Sequence, residues 1–269
     1  MHNPLKSLVL LGLSAAMLAA CSTSSTGRQQ LVLKSDAALA QEGARQFAII
    51  RAKMPMVQDR ATIDYVACVA NAIVAELEGE DAAMYWELAV IDQQDINAFV
   101  LPGGKISVFK GILTVAENQH QLGAVLGHEV AHVTEKHGNE RASRASVTHV
   151  GVDIASILLG GGYARPTMAA NEALRTGAAL GVLNPFSRKQ ESEADLVGLR
   201  LMAKAGFDPR QSVDLWQNMN EKNKTQIPEF LSTHPSGDTR IEQLVAALPE
   251  SLAYYNEAKA QGKEPNCFL

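Results

Sequence analysis

The stretch GHEVAHVTEKHG, residues 127–138, places three histidines and two glutamates within a dozen positions of a chain otherwise rich in Ala, Leu and Val. The apolar spacing of QLGAVLGHEVAHVTEKH around it predicts a helix. On that helix His128 and His132 stand one turn apart, so their imidazoles leave the same face and approach one cation. Glu129, between them in sequence, reaches water bound to that cation. H-E-x-x-H at this spacing is the pattern of zinc peptidases, set against the plainer reading of a helix with solvated histidines.

A catalytic zinc needs a third protein ligand and an open fourth position. Downstream, RKQESEADLVGL (188–199) offers Glu191 and Asp195, again four apart on an expected helix. Glu191 can bind the metal while Asp195 accepts the ring N–H of a ligand histidine, fixing its tautomer and raising its basicity. Glu193 competes for the ligand role. It faces roughly the other side of the helix, and Val197, four residues on, offers it no support. His120, His137 and His149 fit no motif position and are expected on solvated helix faces.

The chain has 269 residues, 46% hydrophobic and 20% charged, with a net charge of -5, which suits a globular protein of one or two domains. Its 24 Lys and Arg are scattered among 29 acidic residues, which excludes nucleic acid as a partner. Residues 1–20 read as an export signal: a weakly basic start, an apolar run too short to span a membrane comfortably, and small residues before Cys21. Leu18-Ala19-Ala20-Cys21 resembles the bacterial lipoprotein box, in which the Cys becomes the lipidated first residue; a plain signal peptide cut nearby is the alternative. In such lipoproteins a Ser after the Cys implies outer-membrane sorting, and Ser22 matches. Residues 21–34 are polar enough to be a flexible tether. The remaining cysteines, Cys68 and Cys267, either form a disulfide or remain as a buried and a free thiol.

Residues 35–269 read as one α+β domain with helices predominating around a small sheet. Helices are expected from Ser35 to Pro55 and over ATIDYVACVANAIVAELEG. WELAVID reads as a strand, and INAFVLPGGKISVFKG as a hairpin turning at Pro102-Gly103-Gly104. All β structure is expected between about residues 86 and 110. Helices follow to the end, with Gly160 to Gly162 as a stop and a candidate lid hinge.

H-E-x-x-H followed by E-x-x-x-D in an EAD context, preceded by NAFVLPGGKISVFKGIL, resembles peptidase family forty-eight, gluzincins that include HtpX, Oma-type and CAAX prenyl proteases. The resemblance covers about residues 60 to 250. The signal peptide and THPSGDTRI make it most similar to the periplasmic lipoprotein branch of the LoiP type, with the BepA type close by. It implies a mainly helical zincin-like domain with its small sheet beside the H-E-x-x-H helix. It further implies one Zn2+ held by His128, His132 and Glu191, Glu129 as general base and Asp195 behind the ligands. His234 matches a His-Pro of the family and becomes a second oxyanion donor or a switchable extra ligand; Tyr163 and Arg240 are further candidates for the donor. The Asn97 to Gly111 segment, with Gly103, Gly104, Ile106 and Val108, is expected to pair with an extended substrate backbone. The implied activity is endoproteolysis of misfolded or mislocalised envelope polypeptides, by a protein lipid-anchored to the outer membrane on its periplasmic side. The alternative is a chaperone-like lipoprotein of outer-membrane assembly, with proteolysis minor or latent.

Overall fold

The computed structural model describes residues 21–146, 186–224, 228–235 and 239–269. Residues 1–20, where an export signal is expected, His149, Gly160 to Gly162 and Tyr163 lie outside the described residues.

The first described element corrects an expectation. Residues 21–34 are not a free tether: β1 (Cys21–Thr23) and β2 (Gln29–Leu31) pair antiparallel as a hairpin. Its side chains meet residues more than a hundred positions downstream. Ser25 donates from both N–H and hydroxyl to Glu135, Gln30 donates to the Glu135 carbonyl, and Arg28 pairs with Glu140 and Glu193. The polarity that suggested a solvated leash is used up in these contacts, and β structure therefore also occurs outside residues 86–110.

Helix α1 (Asp36–Lys53) starts at Ser35, whose hydroxyl accepts from Ala38 N–H, and ends before Pro55. Helix α2 (Arg60–Val74) is capped by Asp59 and buries Val66, Val69, Ala70 and Ile73. After the short α3 (Gly79–Ala82) come β3 (Glu87–Ile91), β4 (Ala98–Leu101) and β5 (Lys105–Phe109). The order is β3-β5-β4, with β5 parallel to β3 and antiparallel to β4. Gly103 and Gly104 make the β4–β5 turn with φ of 82° and 73°, angles that side-chain-bearing residues resist. Strand β5 is paired on both edges and buried throughout, whereas β4 has a free edge among the described residues.

Helix α4 (Gln119–Thr134) is buried from Gln121 to His132, with Asn118 accepting from the N–H groups of His120 and Gln121 at its start. It ends three residues before the expected His137. Lys136 takes φ 54°, and a new helix, α5, starts at 137 and covers the described residues up to 146. Helix α6 (Arg188–Lys204) opens with a Ser187/Gln190 capping box. Helices α7 (Gln211–Asn223), α8 (Glu229–Thr233) and α9 (Arg240–Ala260) complete the chain. Helices α4 and α6 cross glycine on glycine: a Cβ on Gly127 would fall 2.7 Å from the Gly198 carbonyl oxygen, and one on Gly198 2.6 Å from His128 N. Only bare backbone permits that approach, and it brings the two motif helices together. Cys68 and Cys267 are joined in a disulfide that ties the C-terminal tail to α2. Among the described residues, no helix is long and apolar enough to cross a membrane.

Candidate metal centre

The crossing of α4 and α6 gathers four buried donors. His128, His132, Glu191 and His234 each present one ligand atom, and these atoms all lie within 4.8 Å of one another. His128 Nε2 lies 3.0 Å from His132 Nε2, and Glu191 lies 3.5 Å from the first and 3.4 Å from the second. His234, at the end of α8, stacks on Phe230 and sets Nδ1 3.2 Å from both His128 Nε2 and Glu191 Oε1.

The hydrogen bonds behind this cluster determine where its protons sit. Asp195 Oδ1, 2.9 Å from His128 Nδ1, can only accept, so His128 carries a proton on Nδ1 and turns Nε2 inward. His132 reaches the same state through an intermediary. Glu193 Oε2 accepts from His137 Nε2 at 2.9 Å, which leaves His137 Nδ1 to accept from His132 Nδ1, also at 2.9 Å. His137 is fully buried, so its assignment to a solvated face was wrong. His120, given the same assignment, is half-buried and accepts from the Asp208 N–H. Glu193 supports the centre from behind while Glu191 faces it. No local pattern in the sequence announces the break that returns His137: Lys136 ends α4 with φ 54°, and Gly138 lies inside α5.

The donors fit a zinc ion. Two Nε2 lone pairs facing each other at 3.0 Å repel unless a cation or proton lies between them, and Glu191 Oε2 is buried without a hydrogen bond. Two imidazoles and a carboxylate form a catalytic zinc donor set. The cluster's demand for positive charge is visible without the ion. Burial opposes a charged His128, but its hydrogen bond to Asp195 and the nearby Glu191 carboxylate outweigh burial and push the imidazole up to about 9. Burial acts against the Glu191 carboxylate too, yet the three histidines hold it well below the usual range. Burial drives His132 well below its ordinary value and His137 down to about 4, keeping both neutral as this proton arrangement needs.

Glu129 lines a cleft of about 580 Å³ together with His132, His234, Asn97, Phe99 and Gly103. Its Oε1 lies 3.2 Å from His234 Nε2, outside hydrogen-bond geometry, and burial raises its carboxyl pKa. The free edge of β4 forms one wall, with Phe99, Val100 and Leu101 along it. The expected substrate strand is thereby corrected: Ile106 and Val108 belong to the buried central strand, and Gly104 packs against Met84 and Trp86. Arg240 is not a free donor either. Its guanidinium stacks 3.5 Å from the Trp216 ring and binds Asp195 Oδ1 at 2.6 Å.

The pattern of peptidase family M48 matches residues 61–248, which include all these metal-facing side chains. The chain belongs to peptidase family M48. This M48 chain is 40% identical over 191 residues to the mitochondrial metalloendopeptidase OMA1 of Schizosaccharomyces pombe, covering 70% of this chain and 53% of that protein. To OMA1 of Arabidopsis thaliana it is 35% identical over 193 residues, 71% of this chain and 37% of the relative. To the beta-barrel assembly-enhancing protease of Yersinia pestis it is 31% identical over 198 residues, 71% of this chain and 40% of the relative. The M48 chain thus spans about half or less of the length of these relatives.

Proposed function

We propose that this chain is a zinc metalloendopeptidase of the bacterial cell envelope, of the lipoprotein type resembling LoiP, which hydrolyses peptide bonds in misfolded or mislocalised envelope proteins. The observation that carries the reading is Glu129, a buried base with an oxygen that accepts no hydrogen bond, facing a cleft beside the four-donor centre. A structural zinc site has no use for such a group. The beta-barrel assembly-enhancing relative supports the envelope setting, as do the apolar leader and LAAC at Cys21.

Bound zinc supplies Lewis acidity toward a water and a peptide carbonyl. The chain's own residues do the rest. Asp195 and the His137–Glu193 pair hold the two imidazoles with Nε2 inward. Glu129, its carboxyl pKa raised by burial, takes a proton from the attacking water and returns it to the leaving amine. The β4 edge holds the polypeptide extended through backbone hydrogen bonds, leaving selection to the apolar side chains of the cleft.

The test is cleavage of reduced casein and of an unfolded outer-membrane β-barrel protein by wild type and Glu129→Gln, each with zinc bound. Wild type is expected to cut and the variant to bind without cutting. Cleavage by Glu129→Gln would remove the base from this account, and wild type that holds both proteins without cutting either would favour the chaperone-like alternative.

A further inference from the structure

We propose that His137 and Glu193 are positioning residues for the metal ligand His132, and that the hairpin of residues 21–31 locks them in place, so the N-terminal segment is part of the metal centre's support. The inference rests on the metal-centre reading above and extends it to residues outside the H-E-x-x-H and E-x-x-x-D motifs.

Helix α6 carries three carboxylates with separate tasks. Glu191 faces the cluster, Asp195 supports His128 directly, and Glu193, on the far side, reaches His132 only through His137. His137 can act as intermediary because the break at Lys136 turns the chain and inserts the imidazole between the other two, where solvent does not reach. A neutral imidazole that donates from Nε2 has only Nδ1 left to accept, and that fixes His132 as an Nδ1–H tautomer.

The Glu193 carboxylate is itself saturated. Oε1 accepts from the Ser24 and Thr26 hydroxyls, and Oε2 accepts from Arg28 Nε at 2.6 Å as well as from His137. Three of its four partners come from the hairpin. Arg28 also reaches Glu140 at 2.8 Å, binding the hairpin to α5, the helix that begins with His137. A carboxylate with all its acceptor positions filled has one orientation, which passes through His137 to the His132 ring. Hydrogen-bond partners behind metal ligands typically account for about 10- to 100-fold in metal affinity.

The test is zinc affinity of the full chain by competition with a chromophoric chelator, with the thermal midpoint of each metal-free variant as a folding control. His137→Leu removes both hydrogen bonds and is expected to weaken zinc binding roughly 10- to 100-fold. His137→Gln keeps one acceptor and one donor and is expected to recover most of that loss, which a packing role alone would not produce. Ser24→Ala with Thr26→Val strips both hydroxyls from Glu193 and is expected to weaken binding in the same direction but less. Arg60→Ala, an exposed side chain on α2 that pairs with Asp64, is expected to leave it unchanged.

Wild-type affinity in His137→Leu, or equal losses in His137→Leu and His137→Gln, would overturn the relay. Wild-type affinity in the Ser24/Thr26 double variant would overturn the part assigned to the hairpin. A wild-type chain that binds no zinc would overturn the metal-centre reading and this inference with it, so the two failures are distinct.

Discussion

Asp195 Oδ1 accepts from His128 Nδ1 at 2.9 Å and from Arg240 Nη2 at 2.6 Å, so one carboxylate oxygen joins a metal-facing imidazole to a buried cation on the C-terminal helix. Arg240 also stands 3.3 Å from Glu191, which makes it the counter-charge for two acidic groups of the centre. Removing it leaves both carboxylates buried with less compensation, a loss of about 3–5 kcal/mol for a buried pair. Arg240→Met is therefore expected to lower the thermal midpoint clearly. Arg240→Lys keeps the charge but loses the planar stack on Trp216 and is expected to restore only part of that loss. A lysine variant as stable as wild type would contradict this.

The glycine contact between α4 and α6 sets the distance from the H-E-x-x-H histidines to Glu191. Gly198→Ala places a methyl group against the His128 backbone and forces the helices apart. Overpacking of this kind costs about 1–3 kcal/mol. A ligand displaced by about an ångström is expected to cost roughly 100-fold in kcat/KM while the chain stays folded. Peptide kinetics together with circular dichroism would check it; unimpaired kinetics would show that the crossing does not set the site.

His234 supplies a fourth donor, and a catalytic site needs one open position. The geometry favours its role as a ligand that closes the site over its role as a transition-state donor. His234→Ala is accordingly expected to raise the initial rate of casein cleavage, with somewhat weaker zinc retention. A fall in rate with zinc retained would assign His234 to transition-state stabilisation instead.

If the free edge of β4 pairs with substrate, only alternate substrate N–H groups point toward it. Peptides carrying a backbone N-methyl group at one alternating set of positions are expected to lose roughly 2- to 10-fold in kcat/KM per group, from about 0.5–1.5 kcal/mol per hydrogen bond. Methylation of the other set is expected to be nearly silent. Equal losses at all positions would rule out strand pairing.

How far the sequence reached depends on the distance over which each feature is set. His128, His132, Glu191 and Asp195 were legible because helical periodicity alone puts residues four apart on one face. The β4–β5 turn was legible because Pro102-Gly103-Gly104 is a local signal. Lys136 hid the role of His137: a lysine with φ 54° ends α4, while the local apolar pattern runs straight through it. The support for Glu193 comes from Ser24, Thr26 and Arg28, more than 160 positions earlier, and no local pattern encodes it. The same contacts explain why a polar segment that resembles a tether is a docked hairpin. Cys68 and Cys267 were countable as a pair, but only the fold brings their Cα atoms to 5.7 Å across 199 positions.

The central claim is that His128, His132 and Glu191 hold one zinc ion with Glu129 as base, and metal content tests it most directly. Zinc per chain would be measured after dialysis for wild type, Glu129→Gln, Glu191→Ala and Glu193→Ala, with apparent affinity for each. The account predicts one zinc in wild type and Glu129→Gln, loss of the metal in Glu191→Ala, and weakened binding in Glu193→Ala. Zinc absent from wild type, or retained in Glu191→Ala while Glu193→Ala loses it, would contradict the account.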